Sequence, residues 1–253
     1  MAGILVIPCL TRNLSMPIVI ISFLIDPVVT IRNFEIQLTL RFQALYCVKK
    51  NRMLQFSRTM QNELIKIKEK CLSCQKCSLA KTKTNIVFED GLANPKLMLI
   101  GEAPGFYEDQ QGKPFVGKAG QLLDRIFASV GLTRKEHVYI CNTLKCRPPD
   151  NRNPLPEEKE ACWEYLKAQI DIIKPKIILL CGNVAVQSIL PNAGGITRIR
   201  GKWFQGGDVV HGAKLMPIFH PSYLLRNDSR EKGSPKWLMW QDIQEIKREY
   251  DKL

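Results

Sequence analysis

From residue 60 to the C-terminus, short apolar runs alternate with longer stretches whose apolar residues recur at helical spacing, the rhythm of an α/β chain. Four runs, Lys96–Gly101, His137–Asn142, Lys176–Gly182 and Leu215–His220, are almost continuously apolar. Such runs belong to strands covered on both faces, so they predict a three-layer α/β/α fold around a central four-stranded, mainly parallel sheet. Between them, Ala119–Val130 and Glu157–Ile173 read as helices. Pro156 opens the second, and Glu157 and Glu158 occupy its first turn, where acids meet the positive end of the helix dipole. A last helix is expected from Ser234 and Pro235, with Trp237, Trp240, Ile243 and Ile246 on one core-facing stripe. Each strand runs into a polar motif: GEAPG, Asn142, Gly182-Asn183 and His220-Pro221. Ligands of open parallel sheets sit beyond the carboxyl ends of the strands, so these tips should converge on one crevice.

The pattern changes near residue 60. Upstream, the apolar run from Pro17 to Ile25 is too short to span a bilayer and closes on Asp26-Pro27. No small-residue cleavage site follows it. Residues 1–59 are therefore expected to be an extension, dispensable or arising from a misplaced start codon, ahead of a domain at 60–253. Its basic residues leave organelle targeting as the alternative. The chain carries +13 at neutral pH, and removing the seven basic and two acidic residues of the extension still leaves +8. A cationic domain favours polyanions such as nucleic acid. Nothing in the pattern suggests a membrane role or a dimerisation stripe, so a monomer is expected.

Nine cysteines without a secretory signal point to a reducing compartment, the cytoplasm, at the nucleoid in a bacterial cell. There, clustered thiols bind metal more often than they form disulfides. Cys74 and Cys77 form a C-x-x-C pair, and Cys146 and Cys162 lie far downstream, bracketing the block GEAPGFYEDQQGKPFVGKAG. The arrangement suggests a metal centre that ties the start of the domain to its middle. Cys9, Cys47, Cys141 and Cys181 read as small buried hydrophobes.

The ordered motifs CQKC, VFEDG, GEAPGFYED, GKPFVGKAGQLL, VYICN, KCRPPDNRNPLPEE, ITRIRGKW and FHPSYLLR resemble those of the family 4 uracil-DNA glycosylases, which carry an iron–sulfur cluster. The resemblance runs from about residue 60 to the end. It implies a base-excision-repair enzyme that flips uracil out of single- or double-stranded DNA and hydrolyses its N-glycosidic bond. It also implies that Cys74, Cys77, Cys146 and Cys162 ligate a [4Fe-4S] cluster. Zinc is the alternative, but zinc ribbons use two tight knuckles, whereas the second pair here is fifteen residues apart. Cys71 extends the first knuckle and is expected to be a spectator.

The same resemblance assigns the site. Phe115 would stack on the uracil, Asn142 would read its edge, and Glu108 would crowd the C5 position, with Ala103 and Gly105 in the substrate loop. His220 would donate to uracil O2 and steady the departing anion. Glu102 is the candidate for positioning water, with Asn151 and Asp109 as alternatives, because Ala103 stands where other uracil-DNA glycosylases place an acid or amide. Leu224 or Leu225 would fill the space the base vacates, while Arg226, Arg147 and Arg152 would meet phosphate. The two leucines equally read as the start of a core helix. The competing functions are an iron–sulfur module that only binds uracil-DNA and a glycosylase for another deaminated base such as hypoxanthine.

Overall fold

The computed structural model describes Gln55 and residues 58–253; the expected extension lies outside them apart from Gln55, Arg58 and Thr59. Helix α1 covers residues 58–72. Strands β1 (Asp90–Gly91) and β2 (Leu97–Gly101) follow, then helices α2 (Phe106–Gln111) and α3 (Lys118–Ala128), strand β3 (Val138–Asn142) and helix α4 (Pro156–Ile173). The chain continues through β4 (Ile177–Cys181), α5 (Asn183–Ile189), α6 (Ile196–Ile199), β5 (Phe204–Gln205), β6 (Lys214–Ile218), α7 (Pro221–Arg226) and α8 (Pro235–Tyr250).

The sheet order is β1-β3-β2-β4-β6-β5. Its four inner strands are parallel and coincide with the four apolar runs, each within two residues at either end. Two edge strands, β1 on β3 and β5 on β6, are antiparallel and only two residues long, too short to leave an alternating pattern in the sequence. Side chains alternate across the sheet. Leu97, Leu99, Val138, Ile140, Leu179, Met216 and Ile218 join a core with Leu123 and Phe127 of α3 and Ile243 and Ile246 of α8. Met98, Ile100, Tyr139, Ile178, Leu180 and Leu215 join another with Met60 and Leu64 of α1, Leu166 and Ile170 of α4 and Val186 of α5. All five residues of β2, β3 and β4 are buried, which is why these strands read as unbroken apolar runs.

Helix α8 begins where expected, with Ser234 Oγ accepting from the Trp237 N–H as its cap. Its buried stripe, however, is Met239, Ile243 and Ile246. Trp240 is 44% exposed, so the expected all-core face is corrected at that residue. Trp237 and Trp240 instead line a surface groove between α3, α7 and α8.

From β2 the chain winds to one side to make β3, then crosses back to β4 and β6, so the direction of winding reverses at β2 and a crevice opens beyond the strand tips. The register sets those tips level: Gly101 pairs with Asn142, and Cys181 with Ile218.

Leu99 lies at the centre of this sheet with no exposure. Leu99→Ala should lower unfolding free energy by about 2–5 kcal/mol through lost burial and the cavity left behind. Leu225→Ala, at a 41% exposed position, should stay within about 0.5 kcal/mol of the parent. Urea denaturation of the two variants checks both values.

Candidate active site

Three side chains meet at the strand tips. A Cβ built on Gly101 would stand 2.3 Å from Asn142 Oδ1 and 2.8 Å from the Phe115 ring, so glycine there lets amide and phenyl occupy the same corner. The Phe115 and His220 ring centroids are 5.6 Å apart, their planes inclined by 35°. Gly182 ends β4 at φ +93°, and a Cβ on it would approach that of His220 to 3.2 Å. The family motifs thus bring Phe115, Asn142 and His220 together. Glu102, Ala103, Gly105, Arg152, Arg226, Asn151 and Tyr223 line the adjoining cleft with His220.

Asn142 is 2% exposed, and its Oδ1 is buried without a hydrogen-bond partner among the described residues. A buried acceptor left unpaired costs about 1–3 kcal/mol, so it marks a place where a donor is missing. Its backbone carbonyl, in contrast, is held: the Lys145 ammonium donates to it at 2.7 Å and to Gln169 Oε1 at 2.6 Å. Gln169 Nε2 in turn donates to Phe88 O and to Tyr139 Oη. Lys145 is 1% exposed, its side chain turned inward rather than towards solvent.

His220 caps α7. Its Nδ1 accepts from the Ser222 backbone N–H at 3.2 Å and lies 2.8 Å from Ser222 Oγ. A ring nitrogen that accepts carries no proton, so the neutral imidazole bears its hydrogen on Nε2. Burial first, and then the charge of Arg226, push the His220 pKa down to about 4, with Glu108 opposing weakly. Burial alone raises the Glu102 carboxyl above its ordinary range.

Phe115 is 5% exposed and adopts φ +54°, the left-handed region that a bulky residue enters at a cost of about 1–3 kcal/mol. Glu108 Oε1 accepts from the N–H groups of Val116 and Gly117 just beyond it. The carboxylate expected to crowd a base therefore also fastens the Phe115 loop. A Cβ on Gly105 would come within 2.7 Å of Glu108 Oε2, so a larger residue there would require this carboxylate to shift.

Several expected roles change. Asp109 is buried and accepts from the N–H groups of Thr84 and Asn85, which removes it as a water-positioning candidate. Asn151 Oδ1 accepts from Arg147 Nε, leaving Glu102 as the carboxylate of the cleft. Arg152 donates through both terminal nitrogens to the fully buried Glu158, so that guanidinium braces the loop rather than standing free for phosphate. Leu224 is 1% exposed within the core and cannot enter DNA, whereas Leu225 is exposed. Arg147 lies 5.2 Å from the Phe106 ring, and Phe106 and Tyr107 form an exposed edge-to-face pair on α2. That aromatic pair was missed, although FY directly after GEAPG, at a strand tip, was a legible signal.

Cys74, Cys77, Cys146 and Cys162 line one cavity with Leu79, Ile86, Leu144 and Tyr165, and Cys71 joins them. Cys71 is thus a fifth thiol of the lining, 1% exposed. Among the described residues no three His, Cys, Asp or Glu side chains are gathered to hold a single metal ion, and the seven described cysteines are free thiols. Burial pushes the Cys146 thiol up to about 12, and a bound cation would bring it down. The Lys145 backbone N–H donates to Cys162 Sγ at 3.3 Å.

A parallel sheet with a flat aromatic, a side-chain amide and a histidine converging at its tips defines a base-binding hydrolase of the uracil-DNA glycosylase superfamily, and the model of the Uracil DNA glycosylase superfamily matches residues 88–244. The chain is 42% identical over 189 residues to the type-4 uracil-DNA glycosylase of Thermotoga maritima, covering 74% of this chain and 95% of that protein. It is 45% identical over 158 residues to the type-4 uracil-DNA glycosylase of Archaeoglobus fulgidus, covering 61% of this chain and 79% of that protein. A type-5 uracil-DNA glycosylase of Pyrobaculum aerophilum is 30% identical over 156 residues, covering 55% of this chain and 67% of that protein. The chain belongs to the type-4 uracil-DNA glycosylase family.

His220 gives a pH test. Its folded pKa lies below the ordinary value, so between about 6.5 and about 4 the unfolded chain binds the proton that the folded chain refuses. The His220 contribution to stability should therefore be complete above pH 6.5 and fall as the pH drops towards 4. NMR titration of the ring should show an inflection near pH 4; one near 6.5 would mean that His220 is charged or solvated in the folded state.

Proposed function

We propose that the cleft excises uracil from DNA through Phe115, Asn142 and His220, and the observation that carries this reading is the orphaned Oδ1 of Asn142. The activity is that of a monofunctional uracil-DNA glycosylase in base-excision repair. Uracil offers an N3–H donor beside its O4 acceptor, so the buried Oδ1 accepts from N3–H while Nδ2 donates to O4. With the amide in this orientation, cytosine, which presents an acceptor at N3 and a donor at C4, meets it with like against like. Phe115 stacks on the base, and Glu108, held beside the Phe115 loop, limits space at C5 against thymine.

Uracil in a duplex must first leave the stack, at a cost of about a few kcal/mol. The exposed Leu225 on α7 fills the gap, and Arg226 and Arg147 meet the backbone, with the Phe106–Tyr107 pair as a further stacking surface. The bond between the sugar carbon and N1 then lengthens, leaving positive character on the sugar and negative charge on the base. The Nε2–H of His220 donates to O2 and stabilises the anion; with its pKa held at about 4 the ring is neutral at neutral pH, so it acts as a neutral hydrogen-bond donor. Water positioned by Glu102 adds to the sugar carbon, its proton passes to solvent or the leaving base, and an abasic site remains.

The cysteine-lined cavity suits a [4Fe-4S] cluster held by Cys74, Cys77, Cys146 and Cys162. Its thiols sit at apolar walls where bare thiolates are costly, which suits their ligation to a cationic group. When bound, the cluster supplies a structural tie between the segment after α1 and the loop before α4; hydrolysis transfers no electrons. One chain holds every group named, which supports a monomer, and the reduced thiols suit work in the cytoplasm on chromosomal DNA.

End-labelled oligonucleotides carrying uracil, thymine or hypoxanthine, treated with alkali after incubation, test the activity. Breaks only at uracil, appearing after alkali, are expected. Tight retention of intact uracil DNA would favour the binding-module reading, and breaks at hypoxanthine the other. Asn142→Asp, whose carboxylate cannot donate to O4, should abolish selective cleavage, and undiminished selectivity would remove Asn142 from base reading. Cys146→Ser should cost the chain its iron and its visible absorbance together with thermal stability; iron content equal to the parent would show the ligand to be wrongly chosen.

A further inference from the structure

Arg134 lies in the turn before β3, where the sequence TRKEH suggests a solvated cation, yet its side chain is only 16% exposed. On one side Nη1 donates to Asp90 Oδ2 at 2.7 Å, while Nε and Nη2 donate to Asp124 Oδ1 at 2.9 and 2.7 Å. On the other, Nη1 reaches Pro114 O at 3.2 Å and Nη2 reaches Phe115 O at 3.0 Å. Two carboxylates from separate elements thus orient a planar fork whose remaining hydrogens hold two consecutive carbonyls. Those carbonyls flank the backbone that places Phe115 at φ +54°.

The following residues are held as firmly. Glu108 Oε1 takes the N–H groups of Val116 and Gly117. From below, α3 approaches so closely that a Cβ on Gly120 would lie 1.8 Å from Phe115 O. A left-handed aromatic persists only where its surroundings over-determine it, and here two C=O and two N–H groups in a row are fixed.

We propose that Arg134 is a positioning residue for uracil excision: anchored on Asp90 and Asp124, it presets the strained Phe115 backbone so that the ring stands ready for the flipped base. The proposal rests on the reading that Phe115 stacks on uracil. Arg134 touches neither base nor sugar; it acts through the loop. Lysine cannot replace it, because a single ammonium cannot serve two carboxylates and two carbonyls in one plane.

The test compares single-turnover excision, duplex affinity and inhibition by free uracil for the parent, Arg134→Gln, Arg134→Lys, Phe115→Ala and the double variant Arg134→Gln/Phe115→Ala. Misplacement of a positioned group by about an ångström costs up to roughly 100-fold, so Arg134→Gln should slow excision about 10- to 100-fold and weaken free-uracil binding, with duplex affinity little changed. Arg134→Lys should fall between parent and Arg134→Gln. In the Phe115→Ala background Arg134→Gln should add no further loss, since both changes remove the same interaction. If Phe115→Ala is impaired while Arg134→Gln behaves like the parent, or if the two losses multiply, the role of Arg134 is overturned and stacking stands. If Phe115→Ala is itself unimpaired, the stacking reading fails and takes the proposal with it. Should Arg134→Gln not fold, Asp124→Asn loosens the anchor while leaving the carbonyl bonds in place, and must show the same pattern in milder form.

Discussion

The site depends on the missing side chain at Gly101. Where its Cβ would stand, the Asn142 amide oxygen and the edge of the Phe115 ring already lie within 2.3 and 2.8 Å. The parallel register that pairs Gly101 with Asn142 puts the amide at the tip of β3, and the loop after α2 returns Phe115 to the same corner. Any larger residue at 101 would separate the amide from the ring or push both from the strand tips. The catalytic geometry is in this sense a packing solution, and the chemistry is built on the absence of atoms.

A buried lysine joins the two functional regions. Lys145 reaches from the residue before Cys146 to the carbonyl of Asn142, and Gln169, Tyr139 and Phe88 O complete the network around it. Its own N–H faces Cys162. The cysteine cavity and Asn142 are therefore separated by one side chain rather than by a domain. A buried polar network of this kind is stiff, because releasing any member strands another buried group. The loop that carries Cys146 and the strand that carries Asn142 are held as one piece.

The layered fold was legible because burial on both faces leaves an unbroken apolar run, a signal that composition alone carries. The cap at Ser234 and the proline at the start of α4 were legible for the same local reason. What escaped depended on which of two neighbouring positions turns inward. Leu224 and Leu225 are chemically identical, and only the direction in which α7 leaves His220 decides that one joins the core and the other meets solvent. Trp240 was placed in the core by spacing, but the stripe of α8 is rotated towards Met239. Asp109 and Arg134 are charged residues whose partners lie far along the chain, at Thr84 and, in part, at Asp90. Long-range pairing of that kind leaves no local pattern to read.

Gly120 draws these points together. It reacts with nothing and binds nothing, yet the first turn of α3 can pass the Phe115 carbonyl only if residue 120 has no Cβ. A map of tolerated substitutions would mark it as strictly as His220, and Gly91, whose φ of +109° and contact with the Val138 carbonyl leave as little room, would appear beside it. Intolerance in such a map reports two different debts, one to chemistry and one to space. Only the geometry tells which residue owes which.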